Sequence, residues 1–213
     1  MACFTHLYRN RVVLFVKWCV MERIVIIGSP GAGKSTLARK LGRKLQIQVV
    51  HLDRIFWQPG WKEKPRNERI EILKERVRKK QWIIEGTYLG TSEPRLNAAD
   101  TIIFLDIPFY ICLKRIFVQR FMHQSDYRQD LNEGCRDKLN LKRILKVLVF
   151  PIRGRRKLNK KLKCYESKKI VKLHSTKEVE AFLAQQEAHT NEKRQSSRTP
   201  SIAGKRQLAL ARQ

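Results

Sequence analysis

Residues 28–35 read Gly28-Ser29-Pro30-Gly31-Ala32-Gly33-Lys34-Ser35, directly after the apolar run Arg23-Ile-Val-Ile-Ile27 and directly before a helical run from Thr36 to Leu45. This is the complete G-x-x-x-x-G-K-S pattern of a phosphate-binding loop, lying between a strand and a helix as its geometry requires. The glycines let the backbone turn through positive φ, so that successive N–H groups point inward at a phosphate. The helix that begins there adds the positive end of its dipole. The expected nucleotide-binding set is therefore Gly28, Ser29, Pro30, Gly31, Ala32, Gly33, Lys34, Ser35 and Thr36. Lys34 is expected to reach the β- and γ-phosphates of ATP, and Ser35 to ligate Mg2+.

The surrounding pattern sets the fold class. Five short, branched, apolar runs stand out at Arg23 to Ile27, Val49 to Leu52, Trp82 to Ile84, Thr101 to Leu105 and Lys169 to Leu173. Their near-continuous apolarity predicts strands buried on both faces of a parallel sheet. Helical spacings separate them: Leu37, Leu41 and Leu45, then Ile70, Leu73 and Val77, then Ile111 to Phe121 opened by Pro108. The alternation predicts an α/β P-loop NTPase fold, a three-layer sandwich with a five-stranded parallel sheet. Further on, Leu141, Ile144, Leu145 and Leu148 form an apolar stripe expected to end at Phe150-Pro151, and Ser175-Thr-Lys-Glu178 is a capping box for a last helix.

With 213 residues and 42% hydrophobic content the chain suits one domain with some spare length. Residues 21–189 are the expected domain, with a lid at about 120–138. Residues 1–20 form an N-terminal extension or a misassigned start before Met21, and 190–213 a disordered basic tail. The apolar stretch from Arg11 to Val20 is interrupted by Lys17 and is too short to span a bilayer, so no membrane partner is expected. Five cysteines without ligand spacing predict reduced thiols in a cytoplasmic protein.

Lysine and arginine number 46 against 19 acids, a net charge of +27, and half of that excess lies between Lys138 and Lys172, where Glu166 is the sole acid. Nucleic acid is a possible partner for that stretch and for the tail, through phosphate contacts. Aromatic residues do not alternate with the charges, so a base-stacking platform is not expected.

Several residues are expected to carry chemistry. Glu85 ends Trp82-Ile-Ile-Glu and Asp106 ends Ile102-Ile-Phe-Leu-Asp, each at the carboxyl edge of the sheet, where ligands bind in open α/β folds. Glu85 is the first choice for assisting Ser35 at the metal through water, and Asp106 the alternative. Asp53, at the end of the second strand, is placed to hydrogen-bond an acceptor hydroxyl and take its proton. His51 beside it is expected to be packed or on the surface. Trp57 and Trp61, in Phe56-Trp-Gln-Pro-Gly-Trp61, suggest an apolar wall around an acceptor, and Arg95 a clamp upon it. Arg115, Arg120 and Arg128 are the candidate arginines for a closing lid, since guanidinium groups supply permanent bidentate charge to a transferring phosphoryl group.

Together these segments resemble the adenylate-kinase-related P-loop proteins often labelled DNA topology modulation proteins. The residues that carry the resemblance are the phosphate loop, His51-Leu-Asp-Arg-Ile-Phe-Trp-Gln-Pro-Gly-Trp61, Trp82-Ile-Ile-Glu-Gly-Thr-Tyr88, Ala99-Asp-Thr-Ile-Ile-Phe-Leu-Asp106 and Glu133-Gly-Cys135. The resemblance implies a fold of small-molecule and nucleotide kinases and, through its label, an effect on DNA. Adenylate kinases carry Gly-Asp-Met-Leu-Arg where this chain has His51-Leu-Asp-Arg-Ile, and Asp-Gly-Phe-Pro-Arg where it has Glu85-Gly-Thr-Tyr. Both departures fall in the acceptor half. The expectation is thus a Mg2+- and ATP-dependent phosphotransferase acting on an unidentified small acceptor. The alternatives are a nucleotide-regulated DNA-binding protein and an ATPase switch.

Overall fold

A computed structural model describes residues 21–60, 62–122 and 141–196, with the side chains of 120–122, 141–143 and 188–196 left undescribed. The expected N-terminal extension, Trp61, Arg128, most of the expected lid and the tail beyond Ser196 lie outside the described residues, as does the side chain of Arg120.

Ile24, Val25, Ile26 and Ile27 are all buried, and because successive side chains on a strand point to opposite faces, the element that carries them must be covered on both sides. That element is β1 (Arg23–Gly28), the central strand of a five-stranded sheet. With β2 (Val49–His51), β5 (Trp82–Glu85), β6 (Thr101–Leu105) and β7 (Lys169–Leu173) the order is β2-β5-β1-β6-β7, every pairing parallel. The five-stranded parallel sheet expected from the sequence is therefore present. β5 and β6 flank the loop strand on either side, with Ile26 opposite Glu85 and Gly28 opposite Leu105.

The two faces of β1 feed two separate cores. Ile24 and Ile26 pack with Leu37 and Leu41 of α1 (Lys34–Leu45), Cys112 and Ile116 of α5 (Phe109–Met122), Val147 of α6 (Leu141–Val149) and Phe182 and Leu183 of α8 (Thr176–Ser196). Val25 and Ile27 pack with Leu52 and Phe56 of α2 (Leu52–Phe56), Leu73 of α3 (Arg66–Val77), Leu96 of α4 (Glu93–Ala98) and Leu158 and Leu162 of α7 (Arg155–Lys163). Helices on both faces of a parallel sheet make the three layers. Each fully buried Ile or Val contributes about 1.5–3 kcal/mol, and β1 supplies two to each core.

Four boundaries differ from the sequence reading. Leu52 leaves β2 to start α2, because its side chain is wholly buried beneath that short helix, so Asp53 stands in a helical first turn and not at a strand end. The aromatic loop is a hairpin in which β3 (Trp57–Gln58) pairs with β4 (Lys62–Glu63), Trp57 opposite Glu63. Phe150-Pro151 does not end the helical path: a π turn, Phe150–Gly154, carries the chain straight into α7. Pro151 sits in its first residues, and its missing N–H interrupts the regular α-helical ladder at this point. Finally, α8 runs to Ser196, past the boundary expected near Thr190.

Candidate active site

The phosphate loop is held by its neighbours on three sides. Gly31 has φ +77, and a Cβ on it would lie 2.5 Å from the Cys112 carbonyl oxygen of α5, so only glycine fits. Gly33 (φ +92) caps α1 in the left-handed region. Arg115 donates from Nη1 to the Ala32 carbonyl at 3.0 Å and from Nη2 to Thr176 Oγ1 at 2.8 Å, tying the loop to α5 and the start of α8. On the other side Gly28 N donates to Thr87 Oγ1 at 3.2 Å, and that hydroxyl donates back to the Gly28 carbonyl. Lys34 Nζ donates to the Ser29 carbonyl of its own loop at 3.0 Å.

At the start of α1, Ser35 Oγ donates to Glu85 Oε1 at 3.0 Å, and His51 Nδ1 stands 2.9 Å from the same oxygen. The sheet register produces this meeting: β2 and β5 pair with His51 opposite Glu85, while β5 lies beside the loop strand. Glu85 is 2% exposed. Burial pushes its carboxyl upward, but the His51 hydrogen bond, the Lys34 ammonium and the Ser35 hydroxyl together hold it below the usual carboxylate value. An ionised Glu85 makes His51 Nδ1 the donor. A hydroxyl and a carboxylate at 3.0 Å form an oxygen donor set suited to a hard cation such as Mg2+. Among the described residues no group of three or more His, Cys, Asp or Glu is arranged to hold a metal, so phosphate oxygens and water would have to complete the shell of an ion here.

Three residues after Glu85, the same segment reaches Asp53. Tyr88 Oη donates to Asp53 Oδ1 at 2.6 Å and accepts from Trp57 Nε1 at 2.8 Å, while its ring meets Phe56 edge-on at 4.9 Å. Burial and the adjacent Asp53 carboxylate push the Tyr88 phenol well above its usual value, so it remains a donor. The accepted bond from Trp57 fixes the phenol's remaining freedom and turns its proton to the carboxylate. Trp57 therefore belongs to the Asp53 network. Glu85–Tyr88 thus touches the loop at both Ser35 and Gly28, and the carboxylate beyond it, within four consecutive positions.

Other expected residues lie elsewhere. Arg95, expected as a clamp, is 0% exposed. It donates from Nη2 to the Thr87 carbonyl at 2.8 Å, which positions the turn after β5 from behind, and its Nε and Nη1 have no hydrogen-bond partner among the described residues. Burial lowers its pKa to about 10, against the opposing pull of Glu85. Asp106 lies at the end of β6, on the opposite flank of β1 from Glu85. Its Oδ2 pairs with Arg155 at 2.6 Å and His174 Nδ1 at 3.3 Å. Sequence reasoning missed Thr87 and Tyr88, and expected His51 to be packed or on the surface; the one available signal was their nearness to Glu85 and Asp53 in the chain. Part of the basic stretch is used inside the fold, Lys161 on the Leu89 carbonyl and Lys168 on the carbonyls of Asn97 and Ala99.

A family model described as an AAA domain matches residues 24–212. The chain belongs to this AAA-domain family. The match takes in the phosphate loop and every hydrogen bond described above. Among curated proteins, this AAA-domain chain is 28% identical over 107 residues to the uncharacterized protein YqaC of Bacillus subtilis, covering 49% of the chain and 60% of YqaC. It is 29% identical over 110 residues to a shikimate kinase of Rhodococcus erythropolis, covering 44% of the chain and 63% of that enzyme. The aligned part thus spans less than two thirds of either relative. Among solved structures, a shikimate kinase from Acinetobacter baumannii in complex with shikimate superposes with a TM-score of 0.53 at 16% identity, over 78% of the chain and 90% of that kinase. The fold of this AAA-domain protein is that of the P-loop kinases.

Proposed function

We propose that the protein is a phosphotransferase that moves the γ-phosphoryl group of ATP to a hydroxyl of a small-molecule acceptor. The observation that carries this reading is the segment Glu85–Tyr88, which joins a phosphate loop to an oriented carboxylate: Glu85 on Ser35, Thr87 on Gly28 and Tyr88 on Asp53. A binding module or a simple ATPase has no need of the last contact. The likeness to shikimate kinases supports the same class.

The donor half would be the loop from Gly28 to Thr36, with Lys34 leaving the Ser29 carbonyl for the β- and γ-phosphates. Ser35, with Glu85 acting through water, would hold Mg2+, which would neutralise phosphate charge when bound. In the acceptor half Tyr88 donates to Oδ1 of Asp53 and orients the carboxylate, whose Oδ2 would accept the incoming hydroxyl. As the acceptor oxygen bonds to the γ-phosphorus, the bond from that phosphorus to the ADP oxygen breaks, and the hydroxyl proton passes to Asp53. Arg115, already on the Ala32 carbonyl, fixes the loop's shape and adds positive charge beside it. Arg120 and Arg128 complete the charge clamp in this reading, and Trp57 and Trp61 the wall of the acceptor half.

The test is acceptor-dependent ADP formation by the full chain with Mg-ATP, screened over shikimate and related hydroxy acids, nucleosides, nucleotides and small alcohols, with Lys34→Ala as the control. The expected result is at least one acceptor that raises ADP release above the rate in water and depends on Lys34. ADP release that no acceptor stimulates, or a Lys34→Ala protein as active as the parent, refutes the proposal.

A further inference from the structure

The helical path Leu141–Lys163 presents two apolar faces. Val147 is wholly buried against the sheet side. On the other side Leu145, Leu148, Val149 and Ile152 are 59, 44, 36 and 63% exposed. Their spacing of three, four and seven residues places them in one stripe along the helix. Soluble surfaces tolerate scattered apolar side chains, but four aliphatic ones in register form a patch that calls for an occupant. Lys146 lies within the stripe's length, and Arg153, Arg156, Lys157 and Lys160 follow at its end, all exposed. α5, which packs on α6, exposes Phe117 and Val118 as well.

The charge decides among occupants. A second copy of this chain docking by the same stripe would bring two strongly cationic surfaces together, which repulsion opposes. A nucleic acid would meet the arginines and lysines but has nothing to offer the leucines, and no aromatic side chain stands in the stripe to stack a base. An anionic lipid surface satisfies both features. The aliphatic side chains enter the boundary between headgroups and acyl chains, while the long basic side chains reach back to the phosphates. We infer that Leu145, Leu148, Val149 and Ile152, with Lys146, Arg153 and Arg156, form a peripheral docking surface for anionic membranes. Among the described residues no helix is long and apolar enough to cross a membrane, so the contact is interfacial. It goes beyond the phosphotransferase reading and does not depend on it.

The experiment compares the full chain with its Leu148→Glu/Ile152→Glu variant in co-sedimentation with vesicles of phosphatidylcholine alone and of phosphatidylcholine with one-third phosphatidylglycerol, at low and high salt. The wild type is expected to partition onto the anionic vesicles at least about tenfold more strongly than onto the neutral ones, and the variant to lose about tenfold of that binding with an unchanged Tm. Four results overturn the inference. They are wild-type protein that stays in solution; a variant that binds vesicles as the wild type does, which would assign binding to the chain ends; a variant whose Tm falls by several degrees, which would make the stripe an internal face covered by the chain itself; and a variant that loses duplex-DNA affinity as much as vesicle affinity, which would make the surface a general polyanion site.

Discussion

Replacing Glu85 by Gln keeps the side chain's shape and removes its charge at the point where Ser35, His51, Lys34 and Arg95 converge. Its carboxylate accepts from Ser35 at 3.0 Å and from His51 at 2.9 Å in a side chain that is 3% exposed. Hydrogen bonds to a buried charge contribute about 1.5–3 kcal/mol each, and neutral ones about 0.5–1.5, so the change costs roughly 1 kcal/mol per bond. Arg95, fully buried, loses the field of the Glu85 carboxylate that supports its charge, which adds about 1 kcal/mol. The sum is about 3 kcal/mol, or about 6–12 °C in Tm for a domain of this size. Urea unfolding of wild type and Glu85→Gln at pH 7, followed by far-UV circular dichroism, measures it. The pH dependence is a second reading of the same quantity. Because the folded carboxyl titrates below its ordinary value of 4.5, its contribution is complete above that pH and is lost as the pH falls through the folded value. The gap between the two proteins is therefore constant near neutrality and narrows in acid. Equal stabilities at pH 7, or a gap that persists unchanged to the acid transition, would refute the account of Glu85 as an ionised hub.

Two further outcomes follow from the site. Tyr88→Phe keeps the edge contact with Phe56 and loses both the donor to Asp53 and the acceptor of Trp57; it is expected to lose about 2–4 kcal/mol of stability while kcat with a responsive acceptor falls about tenfold at unchanged KM for ATP, and an unchanged kcat would remove Tyr88 from the reaction. Gly31→Ala places a methyl 2.5 Å from the Cys112 carbonyl at φ +77. The loop must shift from its present shape, so a thermal stabilisation by Mg-ATP, expected for the wild type under the phosphotransferase proposal, is expected to disappear in the variant, and a variant shifted as fully as the wild type would show that the loop has room to adjust.

The phosphate loop was legible because its function is written locally: glycines at fixed offsets set backbone dihedrals, and Lys34 and Ser35 follow within the same turn. β1, β5 and β6 were legible because two-sided burial leaves a run of branched apolar residues, whereas β2 and β7, at the sheet edges, are only partly buried and not covered on both faces as their apolar runs suggested. Helix boundaries near Leu52, Pro151 and Thr190 were not, since burial of Leu52 and the π turn at Phe150–Gly154 depend on what packs around them. Arg95 illustrates the same limit at the site. Its type and place in the chain suggested a ligand clamp, but the burial that turns its guanidinium to the Thr87 carbonyl is a property of the whole packed layer.

The amino-acid sequence alone determined that this chain carries a phosphate-loop motif between strand and helix of a parallel α/β sheet, because those features need only neighbours within about ten residues. Which acidic residue meets Ser35 was decided by strand order. With β5 and β6 on opposite flanks of β1, Glu85 arrives beside Ser35 and His51, while Asp106 is turned to Arg155 and His174. The joining of Asp53 to Tyr88 and Trp57 was decided in the same way, because contacts between residues 35 positions apart exist only once the sheet has set its register.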